Sequence, residues 1–347
     1  MNRSWIEVSA SRLRHNAEAI RRRLRPPTSL IAVVKANAYG HGVSLVAPTL
    51  HRWGIRDFAV ADLEEALELR GDLPGARILV LGGCGEGEED VFRRHQLTAG
   101  VFDRRSLPED LRVEVKIDTG MTRLGIPWTQ APAFFRESRL GIAGVYSHFS
   151  RADSDPGFTQ LQLERFLRST RGLSCPRHIS NSAGLRFPAA HLDAVRVGLA
   201  LYGISPCPEI TDVQPALCWK TRILAVNRVP AGRVVGYEGT FTTRRRKSRI
   251  GVLPVGYGDG YKRALSNRAS VRVGRHLAPV AGLISMDLTG IDLTDIREAR
   301  AGDEVTLLEP APDSPLSATA LAQTVGTIPY EIFTSITARV KRLLVED

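Results

Sequence analysis

Lys35 follows a run of apolar and β-branched residues, Ser29-Leu30-Ile31-Ala32-Val33-Val34, and precedes Ala36-Asn37-Ala38-Tyr39-Gly40-His41-Gly42. A lysine at the carboxyl end of a buried strand loses hydration. That lowers the amine's pKa and makes it a nucleophile able to form a Schiff base with a carbonyl. Alone, such a lysine also reads as an ordinary exposed strand-end residue. The segment after it shifts the balance, because its glycines permit a tight turn close to a ligand and Tyr39 can donate to a phosphate.

Further clusters of the same kind recur along the chain. They are Lys116-Ile117-Asp118-Thr119-Gly120-Met121-Thr122-Arg123, Ser180-Asn181-Ser182-Ala183-Gly184 and Arg196-Val197-Gly198-Leu199. Later come Gly256-Tyr257-Gly258-Asp259-Gly260-Tyr261, Ile284-Ser285-Met286-Asp287 and Ile328-Pro329-Tyr330-Glu331. Each polar group reads singly as a turn or surface residue. Their joint placement at the ends of apolar runs points to one site.

The elements that must position them alternate up to about residue 210. Short apolar runs (Phe58-Ala59-Val60-Ala61, Arg77-Ile78-Leu79-Val80-Leu81, Val113-Glu114-Val115-Lys116-Ile117, Gly144-Val145-Tyr146-Ser147-His148, His178-Ile179-Ser180, Val195-Arg196-Val197) are separated by amphipathic stretches such as Ser11 to Leu24. Continuous β-branched runs between helices favour a parallel sheet covered on both faces. About eight such units suit a closed (β/α)₈ barrel, with an open doubly wound sheet as the alternative. After Pro215 strand-like pieces and tight turns take over: Lys220 to Val229, Val234 to Phe241, Ser248 to Val255, Ser270 to Val273 and Glu304 to Leu308. The expected division is residues 8–212 as one domain and 213–347 as a second, all-β domain, with residues 1–7 open to joining the second.

The composition, 43% hydrophobic and 24% charged over 347 residues, is that of a chain with an ample core. The net charge of +10 raises the question of nucleic acid, but the one dense run, Arg244-Arg245-Arg246-Lys247-Ser248-Arg249, lies between strand-like pieces and reads as a solvated turn. No aromatic residues interleave with it, so no nucleic-acid partner is expected. Cys84, Cys175, Cys207 and Cys218 are far apart, without metal-ligand spacing, and no metal is expected. No apolar stretch approaches the roughly 18–20 residues of a membrane span, and no leader pattern opens the chain, so no membrane association and a cytoplasmic location are expected.

The ordered set K-A-N-A-Y-G-H-G, K-I-D-T-G-M-x-R-L-G, H-F-S-x-A-D, N-S-A-G, V-R-V-G, G-Y-G-D-G-Y, S-M-D and P-Y-E closely resembles the alanine racemase family of pyridoxal-phosphate enzymes. The resemblance covers nearly the whole chain. It implies an N-terminal (β/α)₈ TIM-type barrel, a C-terminal β domain, and a homodimer whose active sites draw on both chains. It also implies interconversion of L- and D-alanine.

Residue by residue, the resemblance makes Lys35 the lysine that carries pyridoxal phosphate. Tyr39, Ser182 and Tyr330, with the backbone of Gly198 and Leu199, become the donors to its phosphate. Arg196 faces the pyridine nitrogen. A guanidinium only donates, so it leaves that nitrogen unprotonated and the ring a weak electron sink. Lys35 and Tyr257 of the partner subunit are the implied pair of proton carriers, with His148 orienting the tyrosine. Arg123 and the Met286 amide receive the substrate carboxylate, and Lys116 matches a lysine that is carbamylated in many members.

Some positions depart from the family pattern. The stretch between Gly100 and Lys116 is short, which implies a short or missing barrel helix. Leu283 stands where an arginine is usual, Thr122 where glycine is common, and Ser150 and Arg151 replace small residues. The nearest rival is a pyridoxal-phosphate amino-acid decarboxylase on the same plan, which places a carboxylate where this chain has Arg196. A broader racemase acting also on serine is a further alternative, because a small pocket rejects one added hydroxyl only modestly. A non-enzymatic cofactor carrier resembles a lone barrel, and the long second domain argues against it.

Overall fold

Runs of Val, Ile, Leu and Ala buried on both faces give short parallel strands, and the polar-apolar stretches between them give covering helices. The computed structural model describes residues 3–104 and 107–346. The chain forms two units, one of Leu13–Ala38 with Val43–Val213, the other of Met1–Arg12, Tyr39–Gly42 and Gln214–Asp347.

After the opening strand β1 (Ser4–Ser9), the first of these units is built on β2 (Ser29–Val33), β3 (Asp57–Val60), β4 (Arg77–Val80), β5 (Thr98–Val101) and β6 (Arg112–Asp118). A short β7 (Ile126–Pro127) precedes β8 (Gly141–Tyr146), β9 (Arg177–His178) and β10 (Ala194–Val197). Parallel pairing runs in the order β5-β4-β3-β2-β10-β9-β8-β6, and β5 also pairs with β6, so eight strands close into a barrel. β7 adds to the end of β6. The open sheet is thereby excluded.

The covering helices are set by local signals. Asp62 accepts the Glu65 N–H to start Leu63–Asp72, and Glu64 and Glu65 suit the positive end of that helix. Asp155 caps Pro156–Ser169 through the Phe158 N–H, with proline at the first helical turn. Between β5 and β6 no helix occurs among the described residues, as the short sequence there implied.

The other unit is β-rich. Its six-stranded sheet has the order β17-β16-β19-β11-β1-β20, where β11 is Leu217–Arg222, β16 Ser270–Val273, β17 His276–Pro279, β19 Glu304–Leu308 and β20 Lys341–Val345. β12 (Ala225–Val229), β15 (Ser248–Leu253) and β18 (Thr289–Asp292) form an antiparallel sheet, and β13 (Val234–Val235) pairs with β14 (Phe241–Thr242). The strand expected over Val234 to Phe241 is broken by Gly236 at φ +73° and a turn at Tyr237–Gly239. Among the described residues the unit also holds the short α-helices Ala318–Val325 and Pro329–Thr334, which the strand-rich texture did not reveal. No helix among the described residues is long and apolar enough to cross a membrane.

Candidate active site

The barrel collects its chemistry at the carboxyl ends of its strands, where such folds place their sites. Lys35 lies just past β2 and opens the turn Lys35–Tyr39, in which Ala36, Asn37, Ala38 and Tyr39 have φ of 51–53°. Left-handed geometry costs non-glycine residues about 1–2 kcal/mol each, so other contacts must hold it. The Ala36 N–H donates to Glu65 at 2.6 Å, the Ala38 N–H to the Val34 carbonyl at 2.8 Å, and Asn37 accepts the Val43 N–H at 2.7 Å. The turn thus fixes the backbone on which Lys35 stands.

Lys35 is half-buried, and that burial, followed by the charge of Arg123, lowers its amine below the ordinary lysine value. Lys116, buried on β6, is lowered to about 8 by burial and then by Arg123 and Arg196. Arg123 itself is exposed. His148 is held well below the usual histidine range by burial, then by the charges of Arg196, Arg123, Lys116 and Lys35. Five of the expected side chains are therefore brought within electrostatic reach of one another.

Arg196, on β10, is buried, which pulls its guanidinium down to about 10, so it stays protonated at neutral pH. It donates to the Ser147 carbonyl at 2.5 Å, to Nδ1 of His178 at 2.5 Å and to Nδ1 of His148 at 3.2 Å. Ser182 is buried, and its Oγ accepts the Ala200 N–H at 3.3 Å. That contact joins it to the turn Leu199–Tyr202, whose N-cap is Gly198. The first amides of such a turn have no acceptor within it and point outward as donors.

In the second unit, Tyr39 and Tyr330 face each other with ring centroids 5.8 Å apart. Burial, then Tyr330, raises the Tyr39 phenol, so it stays a donor. Gly40, at φ +79°, is needed beside them, because a Cβ there would lie 2.2 Å from the Phe333 carbonyl oxygen. Tyr257 and Met286 are 43% and 53% exposed and ride on adjoining turns. The Tyr257 N–H donates to the Ser285 carbonyl at 3.0 Å and the Gly258 N–H to the Met286 carbonyl at 2.9 Å. Gly256 permits that approach, since a Cβ would meet the Ser285 oxygen at 2.2 Å.

Several participants were not singled out from sequence. Asp259, buried, accepts the Gly256 N–H at 3.0 Å and pairs with Arg3 and Arg339, which pins the turn carrying Tyr257. Asp118 accepts the N–H groups of Gly120, Met121 and Thr122, which shapes the turn leading to Arg123. Glu114 and His178 lie behind Arg196. A signal for Glu114 was available: Glu114, Lys116 and Asp118 alternate with Val113, Val115 and Ile117, so the three polar side chains share one face of β6.

The donor set fits pyridoxal phosphate. Within the barrel unit it has an amine of lowered pKa for an aldehyde, the Ser182 hydroxyl and the outward amides of the turn after Gly198 for a phosphate dianion, and a buried guanidinium whose free valences are all donors.

Residues 8–206 match the family described as alanine racemase, N-terminal domain, and residues 216–344 that described as alanine racemase, C-terminal domain. An alanine racemase of Syntrophobacter fumaroxidans is 41% identical over 360 residues, covering 97% of this chain and 96% of the relative. The crystal structure of alanine racemase from D-cycloserine-producing Streptomyces lavendulae is 32% identical at a TM-score of 0.90, covering 100% of this chain and 98% of that one. The alanine racemase of Bartonella henselae, whose crystal structure has covalently bound pyridoxal phosphate, is 29% identical at a TM-score of 0.88, with 99% of each chain covered. With both family domains matched in order over nearly the whole chain, the chain belongs to the alanine racemase family.

Proposed function

We propose that the protein interconverts L- and D-alanine with pyridoxal phosphate carried on Lys35, using Lys35 and Tyr257 of the partner subunit as opposed proton carriers. The unit of Leu13–Ala38 with Val43–Val213 serves as the cofactor-binding barrel, close to the expected 8–212, and the unit of Gln214–Asp347 with Met1–Arg12 and Tyr39–Gly42 as the β domain. The observation that carries the reading is a lysine of lowered pKa sharing one barrel mouth with a buried, protonated Arg196.

When bound, pyridoxal phosphate acidifies the α-hydrogen of an attached amino acid by drawing electron density into its ring. Ser182, Tyr39, Tyr330 and the amides of Gly198 and Leu199 hold the phosphate. Arg196 donates to the ring nitrogen without giving up its proton, which limits electron withdrawal and favours return of the α-proton over loss of carbon dioxide. This weighs against the decarboxylase.

Lys35 Nζ, unprotonated at lower pH than an ordinary lysine, takes or returns the proton on one face. Tyr257 Oη does so on the other. His148 supports that role through its tautomer: Nδ1 accepts from Arg196, so its proton sits on Nε2, a donor suited to a phenolate. Arg123 and the Met286 amide receive the substrate carboxylate. Lys116, lowered to about 8, supplies the neutral amine that carbamate formation needs, and the resulting carboxylate would steady Arg123.

A homodimer is supported by the surface of the second unit. Val234 and Tyr237 are 66% and 70% exposed, and with Val235, Leu283 and Leu288 they line an apolar groove of about 550 Å³. Exposed apolar patches of this kind mark interaction surfaces. Incubating the cofactor-loaded protein with L-alanine and with L-serine tests the assignment. Rapid loss of optical activity with alanine is expected, and carbon dioxide release or an unchanged rotation would refute it.

A further inference from the structure

The geometry behind Arg196 points to a residue for which the mechanism has given no role. Glu114 Oε2 lies 2.8 Å from His178 Nε2, and His178 Nδ1 lies 2.5 Å from an Arg196 guanidinium nitrogen. The three residues stand on β6, β9 and β10 and form an unbroken line of carboxylate, imidazole and guanidinium. Tyr146 walls this line: its ring stacks on His178 with centroids 5.4 Å apart and planes 7° apart, and the Arg196 guanidinium carbon lies 5.1 Å from its centre. Gly144 leaves room for the carboxylate, since a Cβ there would come within 3.1 Å of Glu114 Cγ and Cδ.

A guanidinium has only donors, so His178 Nδ1 must be an acceptor. A proton on Nδ1 would set donor against donor at 2.5 Å. The imidazole is therefore neutral with its hydrogen on Nε2, aimed at Glu114. A carboxylate that fixes a histidine's tautomer, and so the ligand on the ring's other side, is the logic of carboxylate–histidine–zinc triads, with a guanidinium here in place of the metal. The same carboxylate is the nearby anion that offsets the buried cation.

We propose that Glu114 is a positioning residue for Arg196: through the tautomer of His178 it holds the guanidinium in the orientation and charge state that a pyridine nitrogen requires. This rests on the assignment of Arg196 to the ring nitrogen. Replacing Glu114 by glutamine keeps the size and removes the charge, and an amide offers its NH2 group as readily as its oxygen to His178.

The test measures cofactor affinity, by fluorescence titration of pyridoxal phosphate into the full-length protein, together with kcat and KM for alanine. Glu114→Gln is expected to weaken cofactor binding and lower kcat by about 10- to 100-fold, with KM changed far less. Glu114→Asp should recover part of the loss. An Arg196→Leu variant separates the two ideas. If it binds the cofactor with wild-type affinity and spectrum, the Arg196 assignment fails. If it is impaired while Glu114→Gln matches the wild type, the Glu114 proposal fails. Should Glu114→Gln not fold, histidine-labelled wild-type protein still decides by nitrogen NMR. A neutral His178 whose Nε2 proton shows a strong hydrogen bond to a carboxylate at pH 7 supports the proposal, and a proton on Nδ1, or an Nε2 proton without that bond, overturns it.

Discussion

Arg196 reaches Nδ1 of His148 at 3.2 Å, and the same guanidinium reaches Nδ1 of His178 at 2.5 Å. Both histidines therefore turn an unprotonated Nδ1 toward one buried cation, and both are neutral. Burial is the leading cause of the low pKa of each, and His191 is lowered for the same reason.

This has a consequence for stability. A histidine whose folded pKa is depressed binds fewer protons when folded than when unfolded. Its contribution is complete above the unfolded value of about 6.5 and is lost as pH falls below that value. The melting temperature should therefore drop between pH 7.5 and pH 5. A flat or rising profile over that range would contradict neutral, buried histidines.

Tyr257→Phe removes one proton carrier and leaves Lys35. Exchange of the α-hydrogen with deuterated water should fall about 10²- to 10⁴-fold for the enantiomer whose proton Tyr257 takes and far less for the other, as followed by NMR. Equal losses from both enantiomers would remove the assignment of one carrier to each face, given that proton transfer limits both directions.

Lys116, lowered to about 8, gains neutral amine as pH rises from 7 toward 9. In ¹³C-bicarbonate a carbamate resonance should strengthen over that range and vanish in Lys116→Arg. A resonance that survives the substitution belongs elsewhere.

Gly40→Ala places a Cβ 2.2 Å from the Phe333 carbonyl oxygen at φ +79°. Denaturant unfolding should show a loss of about 1–3 kcal/mol or more. Wild-type stability would mean that the turn after Lys35 is looser than its geometry implies.

Much of this was legible in the residues. The β-branched runs marked the barrel strands because each is buried on both faces, and Lys35, Lys116, Ser182 and Arg196 stood at or near strand ends. The left-handed course of Ala36 to Tyr39 was not legible, since three of its four residues are types that favour right-handed backbone. It is held by Glu65, far off in sequence. The roles of Glu114 and Asp259 were hidden for a similar reason: each depends on partners in other strands or segments, such as His178 for one and Arg3 and Arg339 for the other. The helices Ala318–Val325 and Pro329–Thr334 lay in a stretch whose neighbours all signalled strands.

The central claim is that one lysine of the six in the chain carries the cofactor. Borohydride reduction in the presence of pyridoxal phosphate, followed by peptide mass spectrometry, reads this directly. The adduct is expected on the peptide containing Lys35, and Lys35→Ala should abolish it. An adduct on Lys116, or none at all, would contradict the account.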